Sequence, residues 1–308
     1  MRRRFTVALL VSLSIALAGC GADSESGAKD DTGLDPITVT GAFGASPEVK
    51  FSDQLVVQET TSKVLEEGDG AKVAKGDTVL TQIVLANGFS QQVLYNSYNV
   101  QAQLLKVDDT LAKGLKSALL DHTIGSRVMV AAPPKDAYGP SGNAQLGVGN
   151  TDTVIYIVDL LSTVAQKLEG TAKPLPAGLP KLVETDGIIT GWDFAGSDKP
   201  DGKLHVYPLI EGDGPKVTAK STVVTRYLGQ VYGGKKPFDG NYSAPDPATF
   251  AISGLVKGWQ QGLEGVASGS RVVIVVPPAL GYGEAGNEGA GISGTDTLYF
   301  VLDILGTT

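Results

Sequence analysis

The chain has 308 residues, with 33 acidic against 25 basic side chains, a formal net charge of −8 and 42% hydrophobic content. That hydrophobic share is enough for globular cores and excludes wholesale disorder, and the length suits two domains of ordinary size. The acidic balance argues against nucleic acid as a partner, because that binding relies on Lys and Arg neutralising phosphates.

Met1-Arg2-Arg3-Arg4 is a basic start, and Phe5 to Ala18 is an almost unbroken apolar run. The run is too short to span a bilayer comfortably and fits a signal peptide over residues 1–19. It ends in Leu17-Ala18-Gly19-Cys20, which resembles the bacterial lipobox. By that resemblance Cys20 becomes the first mature residue and carries a diacylglycerol thioether. An ordinary secretory signal with a chance Cys is the other reading. Arg2-Arg3-Arg4-Phe5 also resembles a twin-arginine signal, so two export routes stay open. Cys20 is the only cysteine, so an exported protein would have no internal disulfide. Removing residues 1–19 takes three Arg from the 25 basic residues and leaves 22 against 33 acidic. No polybasic patch would then hold the chain to a membrane, and the lipid alone would do so. The expected location is extracytoplasmic, on the cell membrane. Residues 20–36 are rich in Gly, Ala, Ser and Asp without apolar periodicity and read as a flexible tether.

The rest of the chain repeats itself. Leu65 to Gly70 matches Leu209 to Gly214, Gly125 to Val128 matches Gly269 to Val272, and Thr151 to Thr153 matches Thr295 to Thr297, always 144 residues on. Sliding 64–161 onto 208–305 without gaps gives 31 identities in 98 positions, so this is a duplicated domain. The copies are expected over 37–164 and 181–308. Residues 165–180, with Pro174, Pro176 and Pro180, read as a short stiff linker. Each copy opens with an extension, about 37–63 and 181–207, whose Val/Ile/Leu alternation predicts an added edge strand or two; Trp192 reads there as a packing residue. Gly68 to Gly70 and Gly212 to Gly214 read as tight turns between strands, and Gly233 to Lys236 as another turn.

In the second copy, Val223 to Gly229 and Thr297 to Leu302 read as alternating strands rich in Val, Thr and Tyr. Val256, Trp259 and Leu263 share one face of a short helix. Several aromatics and one carboxylate, Asp239, thereby converge on one site, the default pattern for a small-ligand or peptide pocket. The set formed by Tyr227, Phe238-Asp239, Val256-x-Gly258-Trp259 and Tyr282-Gly283 resembles the FKBP-type peptidyl-prolyl isomerases across about 209–305, a whole domain.

The resemblance implies an α+β chain of two tandem FKBP-like domains, each a twisted antiparallel sheet curled around a short helix. It implies peptidyl-prolyl cis-trans isomerase activity on proline-containing exported polypeptides, no cofactor, and macrolide inhibitors as a further ligand class. Carried onto this chain, Trp259 is the pocket floor, and Tyr227, Phe238, Ile292 and Phe300 are its walls. The Val256 N–H and the Tyr282 hydroxyl bind substrate carbonyls, and Asp239 faces the twisted amide. Ala248 stands where the family places an aromatic, the loop 240–247 is unusual, and the stretch before Leu255 is short. Plain structural readings stand beside these: Trp259 as core, Asp239 as a solvated turn residue, Tyr282 as a strand-end aromatic. In the first copy the equivalents are Ile83, Leu94-Tyr95, Ala112, Leu115 and Tyr156, with only Tyr138-Gly139 kept. That copy is expected to be degenerate and inactive.

Other chemistry finds no support. Gly289 to Gly294 fits G-x-G-x-x-G, but it precedes a strand, whereas the dinucleotide fingerprint follows one and opens a helix. His122 and His205 are isolated, no cluster has metal-ligand spacing, and no G-x-S-x-G elbow exists. Two further readings stay open: a non-catalytic peptide-binding chaperone lipoprotein, and a lipoprotein that binds a small apolar solute.

Overall fold

The computed structural model describes residues 33–308. The expected signal peptide 1–19, Cys20 and most of the expected tether 20–36 lie outside the described residues. Among the described residues, no helix is long and apolar enough to cross a membrane.

The first copy runs β1 (Ile37–Thr40), β2 (Glu48–Phe51), β3 (Thr61–Glu66), β4 (Thr78–Asn87), β5 (Gln92–Asn96), β6 (Gln103–Lys106), α1 (Lys113–Leu119), β7 (Arg127–Ala132) and β8 (Val154–Val164). The second runs β9 (Lys181–Thr185), β10 (Ile188–Asp193), β11 (His205–Ile210), β12 (Thr222–Val231), β13 (Asp239–Gly240), β14 (Ala248–Ala251), α2 (Lys257–Leu263), β15 (Arg271–Val276) and β16 (Leu298–Thr307). Each copy builds one antiparallel six-stranded sheet, ordered β3-β7-β8-β4-β5 with β6 also on β4, and β11-β15-β16-β12-β13 with β14 also on β12. Each copy is thus one antiparallel sheet around one short helix, the arrangement the resemblance implies.

Both faces of each sheet are covered. In domain two, Leu263, Ile274 and Leu302 join the core on the helix side, while Val273, Val275 and Val301 join Trp192 on the other. All ten residues of β16 are buried. The predicted alternation therefore holds poorly in the central strands: a strand buried on both faces reads as a continuous apolar run.

The extensions differ from expectation. Only β3 and β11 join the main sheets as edges; β1-β2 and β9-β10 are separate two-stranded hairpins on the far face. The β9-β10 hairpin turns in two residues, with Thr185 paired to Ile188 and positive φ at Asp186 (52°) and Gly187 (77°), the pattern of a type I′ turn. Gln230 pins it: its Oε1 accepts from the Trp192 N–H at 3.0 Å, and its Nε2 donates to the Trp192 carbonyl at 3.3 Å. Trp192 is 5% exposed, the packing role expected of it.

Gly68 to Gly70 do not make a hairpin turn, because β3 pairs with β7 rather than β4. They cross the segment before β7, where a Cβ on Gly68 would lie 2.6 Å from the Gly125 Cα. Gly212 repeats this against Gly269. The helix has its own close approach: a Cβ on Gly258 would come within 2.6 Å of the Val276 Cγ2, so α2 lies close on β15 only because that side chain is missing.

Residues 165–180 do not run free between the copies. The Ala165 N–H donates to the Leu305 carbonyl (2.9 Å), the Lys173 N–H donates to the Leu209 carbonyl (2.7 Å), and Leu175 and Leu179 pack into the far-side core of domain two. The copies meet through Leu80, Val164, Val224 and Leu305, with Leu161 packed alongside. Leu161 and Leu305 are the extra residues of β-bulges, at the same place in β8 and β16. A bulge re-aims its side chain, and here both belong to the shared cluster.

Candidate active site

Trp259 occupies the third position of α2 and is 4% exposed. Gly258 and Gly262 lower the helix onto β15, and the indole is held among rings from three strands. Its centroid is 5.5 Å from Tyr227 (β12), 5.2 Å from Phe300 (β16) and 6.1 Å from Phe250 (β14), each nearly perpendicular to it. Phe238 stands edge-on to Phe300 at 5.7 Å. Edge-to-face pairs place the positive ring edge on the negative ring face and fix the rings relative to one another. Ile292 belongs to the same cluster, held by the reciprocal backbone pair between Asn287 and Ile292 (2.8 and 2.9 Å). The predicted floor and walls are thus brought together.

The polar groups lie at the edge of this apolar site. The Tyr227 hydroxyl donates to Asp239 Oδ2 at 2.7 Å, and the Gly240 N–H donates to Asp239 Oδ1 at 2.8 Å. Burial, and then the bond to Asp239, hold the Tyr227 hydroxyl well above its usual pKa, so it stays a donor. Val256 is the N-cap of α2, and no hydrogen bond from its N–H is found among the described residues. That leaves a donor free for a ligand carbonyl. Tyr282 differs from the others: it is 36% exposed at the start of a short helical turn, on the rim rather than in the packed cluster.

Phe250 was missed by sequence reasoning. In β14 it pairs with Val223, and in domain one Leu105 pairs with Val79, its counterpart. The offset is therefore 145 here and 144 elsewhere, because the stretch before the helix is one residue shorter in domain two. The family's aromatic is present, at Phe250 rather than at Ala248. In Ala248-Thr249-Phe250 both Ala248 and Phe250 pack on the cluster, and nothing in the segment marks the one-residue shift.

The same place in domain one is filled with Ile83, Leu94, Leu105, Leu115 and Tyr156. Tyr156 is 2% exposed, and burial raises its pKa. Tyr95 replaces the carboxylate, and no tryptophan is there. A cavity of about 450 Å³ between the domains, lined by Lys106, Arg226 and Asp246 among others, contains none of the predicted site residues. Among the described residues, no group of three or more His, Cys, Asp or Glu could hold a metal.

The family model for the FKBP-type peptidyl-prolyl cis-trans isomerase matches residues 70–161 and again 214–305, more than half of the chain. The chain belongs to the FKBP family. An FK506-binding protein of Streptomyces anulatus is 33% identical over 115 residues, covering 37% of this chain and 92% of that protein. The isomerase FkpA of Escherichia coli is 37% identical over 101 residues, which span 32% of this chain and only 36% of FkpA. The crystal structure of FkpA aligns at 31% identity with a TM-score of 0.33, over 36% of this chain and 51% of that one. In FKBP terms the chain carries two family domains, and only the second has the full aromatic set around a tryptophan floor.

Proposed function

We propose that this FKBP is a membrane-tethered isomerase that acts on exported proline-containing polypeptides outside the cytoplasmic membrane, with its turnover in domain two. The observation that supports this best is the perpendicular ring set around Trp259, with Asp239 and the free Val256 N–H beside it. Domain one has Ile83, Leu94, Leu105 and Leu115 in place of Tyr227, Phe238, Phe250 and Trp259, and keeps a single ring, Tyr156, in place of Phe300.

Prolyl isomerisation breaks no covalent bond. Its barrier, about 18–20 kcal/mol, is amide resonance. An apolar site strips the water that favours the polar planar amide. The Val256 N–H then holds a substrate carbonyl, Tyr282 reaches one from the rim, and Asp239, fixed by Tyr227 and Gly240, faces the rotating carbonyl group. An acceleration near 10⁶ asks for only about 8 kcal/mol. The name of the Streptomyces relative adds FK506-type macrolides as ligands for the same pocket.

The test is a protease-coupled isomerisation assay on soluble residues 21–308. Trp259→Leu should remove most turnover, and Leu115→Ala in domain one should leave it unchanged. Equal losses would overturn the assignment to domain two. Wild type without acceleration would favour a chaperone that only binds peptides. For the tether, mass spectrometry of the membrane fraction should find a diacylglycerol adduct on an N-terminal Cys20; an unmodified protein cut elsewhere would end that part.

A further inference from the structure

Beside the prolyl pocket lies a groove of about 380 Å³. One bank is the tip of the β9-β10 hairpin, Ile188 to Thr190; the other is the edge from Pro237 to Ser243. Phe238, which packs on the pocket cluster, and Asp239, which accepts from the Tyr227 hydroxyl, therefore border both groove and pocket. The bank from the hairpin is firm, since Gln230, itself 1% exposed, ties Trp192 to the sheet. Ile188 is 39% exposed on it.

Domain one shows what this place accepts. Its hairpin β1-β2 has seven loop residues, 41–47, where β9-β10 has two. That longer loop folds over the position equivalent to the groove. Ser46 bonds Asn96 at 2.8 Å, and Asn96 is the counterpart of Gly240. The Gly44 N–H donates to Asp159 Oδ2 (2.7 Å), while Arg127 donates to the carbonyls of Gly41 and Ala45 (2.7 Å each). In domain two the counterpart pair, Arg271 and Asp303, is kept with Tyr242 on it, but among the described residues no hydrogen bond from the β9-β10 turn reaches it. The Arg271 side chain is 20% exposed, against 2% for Arg127. The copy with the aromatic pocket is thus the copy whose groove is open.

We propose that this groove is an accessory subsite that holds an extended stretch of the substrate polypeptide next to its prolyl residue. The occupant takes the place that residues 44–46 take in domain one, with an apolar side chain against Ile188 and its backbone near Tyr242 and Ser243. The proposal rests on the isomerase reading of the adjoining pocket, whose walls it shares. Such a subsite makes the enzyme prefer long, unfolded chains with apolar residues flanking proline over short peptides.

The experiment compares two probes on residues 21–308 carrying Ile188→Asp. The short probe is succinyl-Ala-Leu-Pro-Phe-4-nitroanilide; the long one is a soluble peptide of about ten residues, an extended strand of about 33 Å, with the same core flanked by Val, Leu and Ser. Isomerisation is read by exchange NMR. The short probe should keep its wild-type kcat/KM, and the long probe should show a KM raised about five- to thirty-fold, as expected for a lost apolar contact and an added charge. Equal effects on both probes, or none on either, would overturn the proposal. If Ile188→Asp melts early, replacing Asp186-Gly187 by the loop sequence Gly41 to Pro47 blocks the groove by another route and must give the same split. If wild type turns over neither probe, the isomerase reading fails. The subsite is then judged by the Kd of the long peptide labelled with fluorescein: weaker binding to the variant supports it, and equal binding overturns it.

Discussion

Trp259 stands where domain one has Leu115, at the third position of a seven-residue helix in both copies. Trp259→Leu should therefore fold, at a packing cost of about 1–3 kcal/mol. Its kcat/KM should fall by about one to two orders of magnitude. Asp239→Ala removes an exposed carboxylate that Tyr227 holds, so its melting temperature should barely move while kcat/KM drops; a peptide affinity that falls equally would contradict a role at the twisted amide. Most of this site was legible through the resemblance to the FKBP-type isomerases, which the set of Tyr227, Phe238-Asp239, Val256-x-Gly258-Trp259 and Tyr282-Gly283 carries. Phe250 was not, because one fixed offset was laid on both copies, and a single-residue change in the stretch before α2 shifts β14 against it. Register is set by strand pairing, and no side chain in Ala248 to Ala251 announces the shift.

Among the elements, α2 is the most constrained. A Cβ at position 258 would meet both γ-carbons of Val276, a side chain that is stiff at χ1. Gly258→Ala should therefore destabilise domain two by about 1–3 kcal/mol, despite the better helix propensity of Ala, and lift the floor of the site. A variant at least as stable as wild type, with unchanged turnover, would show that the close approach does not matter. On the far face, burial pushes the Tyr299 hydroxyl up to about 12. Unfolded, it titrates near 10. Its neutral form thus adds stability that is fully present below about pH 10 and is lost as pH rises towards 12, since the unfolded chain gives up its proton first. Chemical denaturation at rising pH should show this loss, and Tyr299→Phe should lessen it, while the raised Tyr227 and Tyr156 keep the rest. The hairpins were only partly legible. Asp186-Gly187 marks a two-residue turn, but which sheet a hairpin joins depends on contacts with residues far along the chain, such as Gln230 with Trp192.

For the whole molecule, the duplication was plain in the sequence, but the path of residues 165–180 was not, since a run with three prolines resembles a free spacer. Its hydrogen bonds to Leu209 and Leu305 and the packing of Leu175 and Leu179 make it part of domain two. A fragment 165–308 should be more stable than 181–308 by about 1–3 kcal/mol, from the apolar surface that the shorter piece leaves exposed. Equal urea midpoints would show that the docked stretch contributes nothing.

The two bulges place Leu161 and Leu305, counterparts in the repeat, in one shared cluster with the counterparts Leu80 and Val224. The patch is only partly reciprocal, since Ala102, Leu104 and Val164 come from domain one without counterparts in it. On separate chains such a patch would face dilution, and a dissociation constant near 0.1 mM would leave most molecules apart at micromolar concentration. On one chain, joined by residues 165–180, each patch meets the other at about millimolar effective concentration. The same weak contact is then closed most of the time. A single cut between Leu168, which packs in the shared cluster, and the docked Lys173 would return the copies to the concentration dependence of two strangers in solution.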